Sequence, residues 1–225
     1  MGLMVPAMAS IDDYDTVTAP VLADRIRRLL GQGGLLALPT ESFYGLAVDP
    51  FNEDALAKLW QLKGRSEGKP ILLLIGARSQ LEPFVQRVPQ AATALMNAFW
   101  PGPLTIVFPA AVGLSNMVTA GTGSVGIRQS TWQPLAELLR RVGPVTGTSA
   151  NREGLSPCCT AEEVQRSLGD AVDLIVDAGP TPGGRPSTVI DVQGPIRIVR
   201  EGVITREIIV RQLASHGMYL DGESR

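Results

Sequence analysis

Lys63-Gly64-Arg65-Ser66-Glu67-Gly68-Lys69-Pro70 runs directly into Ile71-Leu72-Leu73-Leu74-Ile75. The second half is a continuous apolar run of strand length, and it predicts a strand whose two faces are both covered, because a half-exposed strand would alternate apolar with polar residues. The first half is a glycine-spaced charge cluster on the lip of that strand. Working outward, Asp54 to Lys63 carries Leu56, Leu59 and Trp60 on one helical face, and Leu35 to Leu38 is a short buried strand ending at Pro39. Val21, Leu22, Ile26, Leu29 and Leu30 mark an amphipathic helix stopped by Gly31. Downstream, helices are expected at Ala91–Trp100, Leu135–Arg141, Ala161–Leu168 and Arg206–Ala214. The third of these opens with a capping-box pattern, Thr160 followed by Glu163. Strands are expected at Leu104–Phe108, Val125–Arg128, Val145–Thr148, Leu174–Val176, Val189–Val192 and Ile196–Val199. Several connections are too short for crossovers, so the α/β fold should carry a mixed sheet. One domain is expected over 21–215, preceded by a weakly packed leader (1–20) and followed by a short tail (216–225).

Composition narrows the chemistry. Of 225 residues, 44% are hydrophobic and 19% charged, which suits a packed core and excludes a disordered chain. No apolar run approaches the roughly 20 residues that span a bilayer, and the N-terminus lacks the basic leader of a signal peptide. A soluble cytoplasmic protein is expected. With one histidine, His216, and two adjacent cysteines, Cys158 and Cys159, zinc sites built from spaced Cys and His are excluded. A catalytic triad would have to use that one remote imidazole. The cysteines read as two small buried or half-buried thiols. The remaining reactive inventory is Lys, Arg, hydroxyls and carboxylates. A net charge of −2 argues against the broad basic surface of a dedicated nucleic-acid binder.

Several segments could carry chemistry. Gly121-Thr122-Gly123-Ser124-Val125-Gly126 fits G-x-G-x-x-G, but the dinucleotide fingerprint must follow a strand and open a helix. Here Ile127-Arg128-Gln129 reads as strand, so the match is a turn. Pro39-Thr40-Glu41-Ser42-Phe43-Tyr44-Gly45-Leu46 packs hydroxyls, a carboxylate and a tyrosine into one turn after a strand. It reads either as a binding turn or as Thr40 capping a short helix with Tyr44 in the core. The 63–70 cluster is a solvated loop or a polyanion site, since Arg offers a fork to phosphate or carboxylate and Lys a mobile point charge. Thr146-Gly147-Thr148-Ser149-Ala150-Asn151 and Gly183-Gly184-Arg185-Pro186-Ser187-Thr188-Val189 both set hydroxyls at strand ends, where open α/β sheets bind ligands. Arg128 and Arg200 each end a strand-like segment.

In this order the segments resemble the YrdC family, the threonylcarbamoyl-AMP synthases that start threonylcarbamoyladenosine formation in tRNA. The matching pieces are PTESFYGL (39–46), KGR with the following KP (63–70), WPGPLT (100–105), VGIR (125–128), TSAN (148–151), PSTVID (186–191) and VREG (199–202). Ser42 stands where threonine is common, and Ser66 and Glu201 stand where proline is frequent. The resemblance implies the short, single-domain form of the fold, a twisted mixed sheet with flanking helices around a central cationic cavity. It also implies condensation of L-threonine, bicarbonate and ATP to threonylcarbamoyl-AMP with release of pyrophosphate, Mg2+ arriving with the ATP, and a downstream tRNA threonylcarbamoyl-transfer complex as partner.

The implied roles are these. Lys63, Arg65 and Lys69 face the ATP phosphates and the carbamate, with Lys63 and Arg65 catalytic. Thr148, Ser149 and Asn151 hold phosphate or ribose, Arg200 holds the nucleotide, and Thr105 lines its pocket. Ser42 and Arg128 hold the threonine, Arg128 pairing its carboxylate, with Ser187 nearby and Thr40 and Tyr44 shaping that side. No protein ligands to a metal are implied. Two rivals stand beside this reading: an RNA-binding module using a concave cationic surface, and a carbamoyl-transfer module with another acceptor.

Overall fold

Alternate side chains of the apolar strands enter two different cores, which is why those strands carry no polar face. In the computed structural model, which describes residues 10–14, 19–64, 70–152 and 154–223, β2 (Leu36–Leu38) sends Leu36 and Leu38 into a smaller core, while Leu35 and Ala37 face the larger one. The strand β4 (Leu72–Ile75) repeats the division, with Leu74 in the smaller core and Leu73 and Ile75 in the larger. In β9 (Leu174–Asp177), Leu174 and Val176 point one way and Ile175 the other. The smaller core is closed by α1 (Ala19–Gly31) and α5 (Gln133–Val142), which pack on each other. The larger core is covered by α2 (Glu53–Lys63), α3 (Gln90–Phe99), the short α4 (Asn116–Thr119), α6 (Ala161–Leu168) and α7 (Arg206–Ala214), with Phe84 and Phe108 fully buried between them. Each such side chain stabilises the fold by about 2–3 kcal/mol. Among the described residues, no helix is long and apolar enough to cross a membrane.

The strands form two mixed sheets. The five-stranded sheet runs β1 (Ser10–Asp13), β9, β2, β3 (Gly45–Ala47), β8 (Thr148–Ser149). The six-stranded sheet runs β11 (Arg197–Arg200), β10 (Thr188–Asp191), β5 (Leu104–Pro109), β6 (Ser124–Gln129), β4, β7 (Val145–Thr146). Parallel pairs (β1–β9, β2–β9, β5–β10, β4–β6) and antiparallel pairs (β2–β3, β3–β8, β5–β6, β10–β11, β4–β7) occur in both.

The single strand expected over Val145–Thr148 is two strands in different sheets. Val145 and Thr146 pair with β4, Thr148 and Ser149 with β3, and the chain changes sheet at Gly147. A Cβ on Gly147 would lie 2.5 Å from Leu74 Cγ, so only glycine lets the backbone pass. Thr146, fully buried, fastens the corner. Its N–H donates to Val48 O, its Oγ1 accepts from Val48 N at 3.0 Å, and its hydroxyl donates to Leu46 O at 3.3 Å.

Two further pieces of structure lie outside the helices and strands expected from the sequence. Ser10–Asp13 adds an edge strand beside β9, with Arg25 of α1 ion-paired to Asp12. Near the other terminus, Leu220 is buried and bridges Ile196. Helix boundaries follow their caps: Asn52 Oδ1 accepts from Ala55 N, and Gly64 ends α2 in the left-handed region. Thr160 Oγ1 accepts from Glu163 N as expected, but the Glu163 carboxylate accepts from Cys159 N, one residue beyond the usual capping box.

Candidate active site

The turn after β2 is built by Thr40. Its hydroxyl donates to Phe43 O at 2.7 Å, and the same oxygen accepts from Ser42 N at 3.2 Å. This local ring sets the Ser42 side chain beside it, 3.3 Å away. Tyr44, assigned by resemblance to the threonine side, does not reach a cleft. It is fully buried, and its hydroxyl lies 3.0 Å from Gly179 O and 3.3 Å from Asp177 Oδ1. Burial, and then the Asp177 charge, push its pKa up to about 12. Of the two readings of this turn, Tyr44 takes the core one.

Ser42 opens onto a cleft of about 280 Å³ lined by Glu41, Arg128, Thr131, Arg185 and Ser187, with Pro103 and Val203 as apolar walls. That volume suits a ligand near the small end of the usual range. Arg128 comes from the buried strand β6, and its Nη1 donates to Glu41 Oε1 at 2.6 Å. The other carboxylate oxygen of Glu41 accepts from Ser130 Oγ at 2.6 Å. Arg128 Nε is buried and finds no hydrogen-bond partner among the described residues.

Ser187, just before β10, shares a 2.9 Å hydrogen bond with Thr105 of β5, while Arg200, the last residue of β11, donates to Ser187 O at 3.0 Å. Partial burial, and then the neighbouring Arg128, lower the pKa of Arg200. Thr188 holds these strand ends together: its hydroxyl donates to Ile204 O and accepts from Gly202 N and Ile204 N. A Cβ on Gly202 would lie 2.2 Å from Pro186 O, so the VREG glycine is fixed by close approach to the Ser187 segment. Thr105, assigned by resemblance to the nucleotide, thus touches Ser187 of the threonine side.

A second group forms at the sheet-switching corner. Lys63, at the end of α2 and buried, donates from Nζ to Ser149 O at 2.9 Å and to Asn151 O and Oδ1, each at 2.8 Å. Ser149 Oγ donates to the same Asn151 Oδ1 at 2.6 Å, and Asn151 Nδ2 donates to Arg152 O and Leu155 O. Lys63 and Asn151 therefore shape the TSAN loop from within. The pairing of Ser149 with Gly45 ties this loop to the end of the Thr40–Tyr44 turn.

Arg65 and Lys69 lie outside the described residues. The cleft carries both signs of charge, two guanidiniums and one carboxylate. Ser130 and Thr131 were not singled out from the sequence, and Glu41 and Arg185 stood out only as the carboxylate and the cation of their motifs. Glu41 sits inside a quoted motif, but its partner is 87 positions away. The G-x-G-x-x-G match is a turn into β6, as expected, with Gly121 and Gly123 at positive φ. Cys158 is buried and Cys159 half-buried, both free thiols. Burial, and then Glu163, raise the Cys158 pKa.

A family model, Sua5_yciO_yrdC, described as "Telomere recombination", matches residues 28–202. The chain is 41% identical over 164 residues to a threonylcarbamoyl-AMP synthase of Thiobacillus denitrificans, covering 72% of this chain and 87% of that one. It is 39% identical over 184 residues to the threonylcarbamoyl-AMP synthase of Bacillus subtilis, covering 80% of this chain and about half (53%) of that longer protein. The crystal structure of P. abyssi Sua5 complexed with L-threonine superposes with a TM-score of 0.81 at 28% identity, covering 97% of this chain and 64% of Sua5.

Proposed function

The chain belongs to the Sua5/YciO/YrdC family, and from that premise we propose that it is a threonylcarbamoyl-AMP synthase, condensing L-threonine, bicarbonate and ATP and releasing pyrophosphate. The observation that carries the reading is that Arg128 and Ser187 line a single cleft while Arg200 donates to Ser187 beside it, so that the ends of three strands of one sheet bring guanidinium and hydroxyl groups together. Two guanidiniums close enough to lower the pKa of one of them define a place where an anion is stabilised.

The chemistry asks for positioning more than for a proton-transfer base. Carboxylation of the threonine amine gives a carbamate. One of its oxygens then attacks the α-phosphorus of ATP in line with the departing pyrophosphate, forming one P–O bond as another breaks. Both reactants are anions, so neutralising and aligning them supplies most of the rate. Arg128 would hold the threonine carboxylate, with Ser42 and Ser187 hydrogen-bonding beside it and Thr105 fixing Ser187. Arg200 would stand between threonine and nucleotide.

Thr148 and Ser149 would meet phosphate or ribose groups, from a loop that Lys63 and Asn151 hold in shape. Arg65 and Lys69 would complete the phosphate side. Mg2+ would enter as MgATP with the phosphates as its main ligands. The product would be consumed by a tRNA threonylcarbamoyl-transfer step.

Incubation with MgATP, bicarbonate and threonine, followed by mass analysis of the adenylate, tests the proposal. The expected mass is that of threonylcarbamoyl-AMP, formed only when all three substrates are present. Pyrophosphate released equally without threonine, or from carbamoyl phosphate in place of bicarbonate, would point to the other carbamoyl acceptor instead.

A further inference from the structure

Glu41 is the one carboxylate among the described residues lining the cleft. Both its oxygens are already engaged, one by Arg128 Nη1 and one by Ser130 Oγ, and its side chain retains 17% of its exposure. A carboxylate presents about four lone-pair directions, so each oxygen can accept one more hydrogen bond from the cleft side.

An amino acid enters as a zwitterion. A cleft holding only cations would bind its carboxylate and repel its ammonium. Glu41 and Arg128 stand side by side with opposite charge, the complement that an α-amino acid requires. We propose that Glu41 is the amine-recognising residue of this cleft: Arg128 takes the substrate carboxylate while Glu41, anchored by Arg128 and Ser130, takes the ammonium. The pair thereby selects an α-amino acid over the corresponding hydroxy acid. The inference rests on the synthase reading and adds a specificity-determining residue to it. The competing explanation makes Glu41 only the counter-ion of a buried guanidinium, and the two differ in what they predict for a ligand lacking nitrogen.

The test compares threonine with 2,3-dihydroxybutanoate, its analogue with hydroxyl in place of ammonium, as substrate and competitive inhibitor in MgATP- and bicarbonate-dependent pyrophosphate release. In the wild-type protein, loss of the ammonium should weaken binding about 10- to 100-fold, the range for a lost charge-assisted hydrogen bond. In Glu41→Gln the half-saturating threonine concentration should rise about tenfold or more, while the inhibition constant of 2,3-dihydroxybutanoate and the half-saturating ATP stay within about twofold, which collapses the discrimination.

Equal weakening of both ligands in Glu41→Gln overturns the proposal and leaves Glu41 as a support for Arg128. So does a wild-type protein that binds both equally well, an arm that does not depend on the variant folding. Absence of threonine-dependent pyrophosphate from the wild-type protein would overturn the synthase reading itself, and the amine-recognition role with it.

Discussion

Two cationic corners of the molecule use their charge in opposite ways. At the sheet-switching corner the Lys63 ammonium, which has three N–H donors, sits 2.8–2.9 Å from three acceptors of the Ser149–Asn151 segment. Those three hydrogen bonds hold a loop. At the other corner, Arg128 and Arg185 line one cleft with Glu41 as the carboxylate of its lining, and Arg200 donates to Ser187 of that lining. There a buried Arg128 Nε lacks a partner among the described residues, and Arg200 has a lowered pKa. That excess is what a carboxylate or phosphate would relieve. A buried cation alone therefore does not mark a binding position; its partners decide whether it frames the site or faces the ligand.

The largest expected effect breaks the frame. Lys63→Ala removes three charge-assisted hydrogen bonds and leaves the Asn151 carbonyl without its ammonium donor, and stability should fall by roughly 3 kcal/mol. For a chain of this size that is about 6–12 °C in melting midpoint, accompanied by loss of pyrophosphate release. An unchanged midpoint would move Lys63 from the frame to the ligand. Arg128→Lys sharpens the other side of the contrast: a point charge replaces the planar fork, so half-saturating threonine should rise about tenfold or more with ATP dependence little changed. Steady-state kinetics in each substrate separates the two.

Smaller effects test the connection between the corners. Gly147→Ala drives a methyl into Leu74 and should destabilise by about 1–3 kcal/mol. Leu74→Ala should cost less in that background than in the wild type, because the two changes share one clash; denaturant melts of both single variants and the double variant measure it. Tyr44 gives the mildest signal. Its folded-state pKa lies above the ordinary value of 10.0, at about 12, so the stability it contributes is fully present below pH 10 and is lost as pH rises through about 12. Tyr44→Phe should cost about 1 kcal/mol at neutral pH and flatten the loss of stability between those two pH values in alkaline unfolding curves.

Much of this was legible in the sequence because it is written locally. The run Ile71–Ile75 is apolar on both faces since each face meets a different core, and the caps at Asn52 and Thr160 sit next to the helices they start. TSAN and PSTVID were readable as hydroxyl-bearing strand ends. What was hidden depends on partners far along the chain. The strand Ser10–Asp13 has a polar sequence whose partner, β9, lies more than a hundred positions away. Glu41 becomes informative only when Arg128 is seen against it. Val145–Thr148 reads as one strand because its break comes from Leu74 filling the space where a Gly147 side chain would be, and no feature of the segment itself records that. Tyr44 and Ser42 are two residues apart in one motif, yet one is core and the other cleft, a division set by Asp177 and Gly179.

A crystal structure of the protein with threonine and MgATP tests the central claim most directly. The account predicts the threonine carboxylate within about 3 Å of Arg128, its hydrogen-bonding groups beside Ser42 and Ser187, and the nucleotide phosphates near Ser149 and Arg200. Threonine bound elsewhere, with the Arg128–Glu41 pair and its cleft empty of ligand, would contradict it.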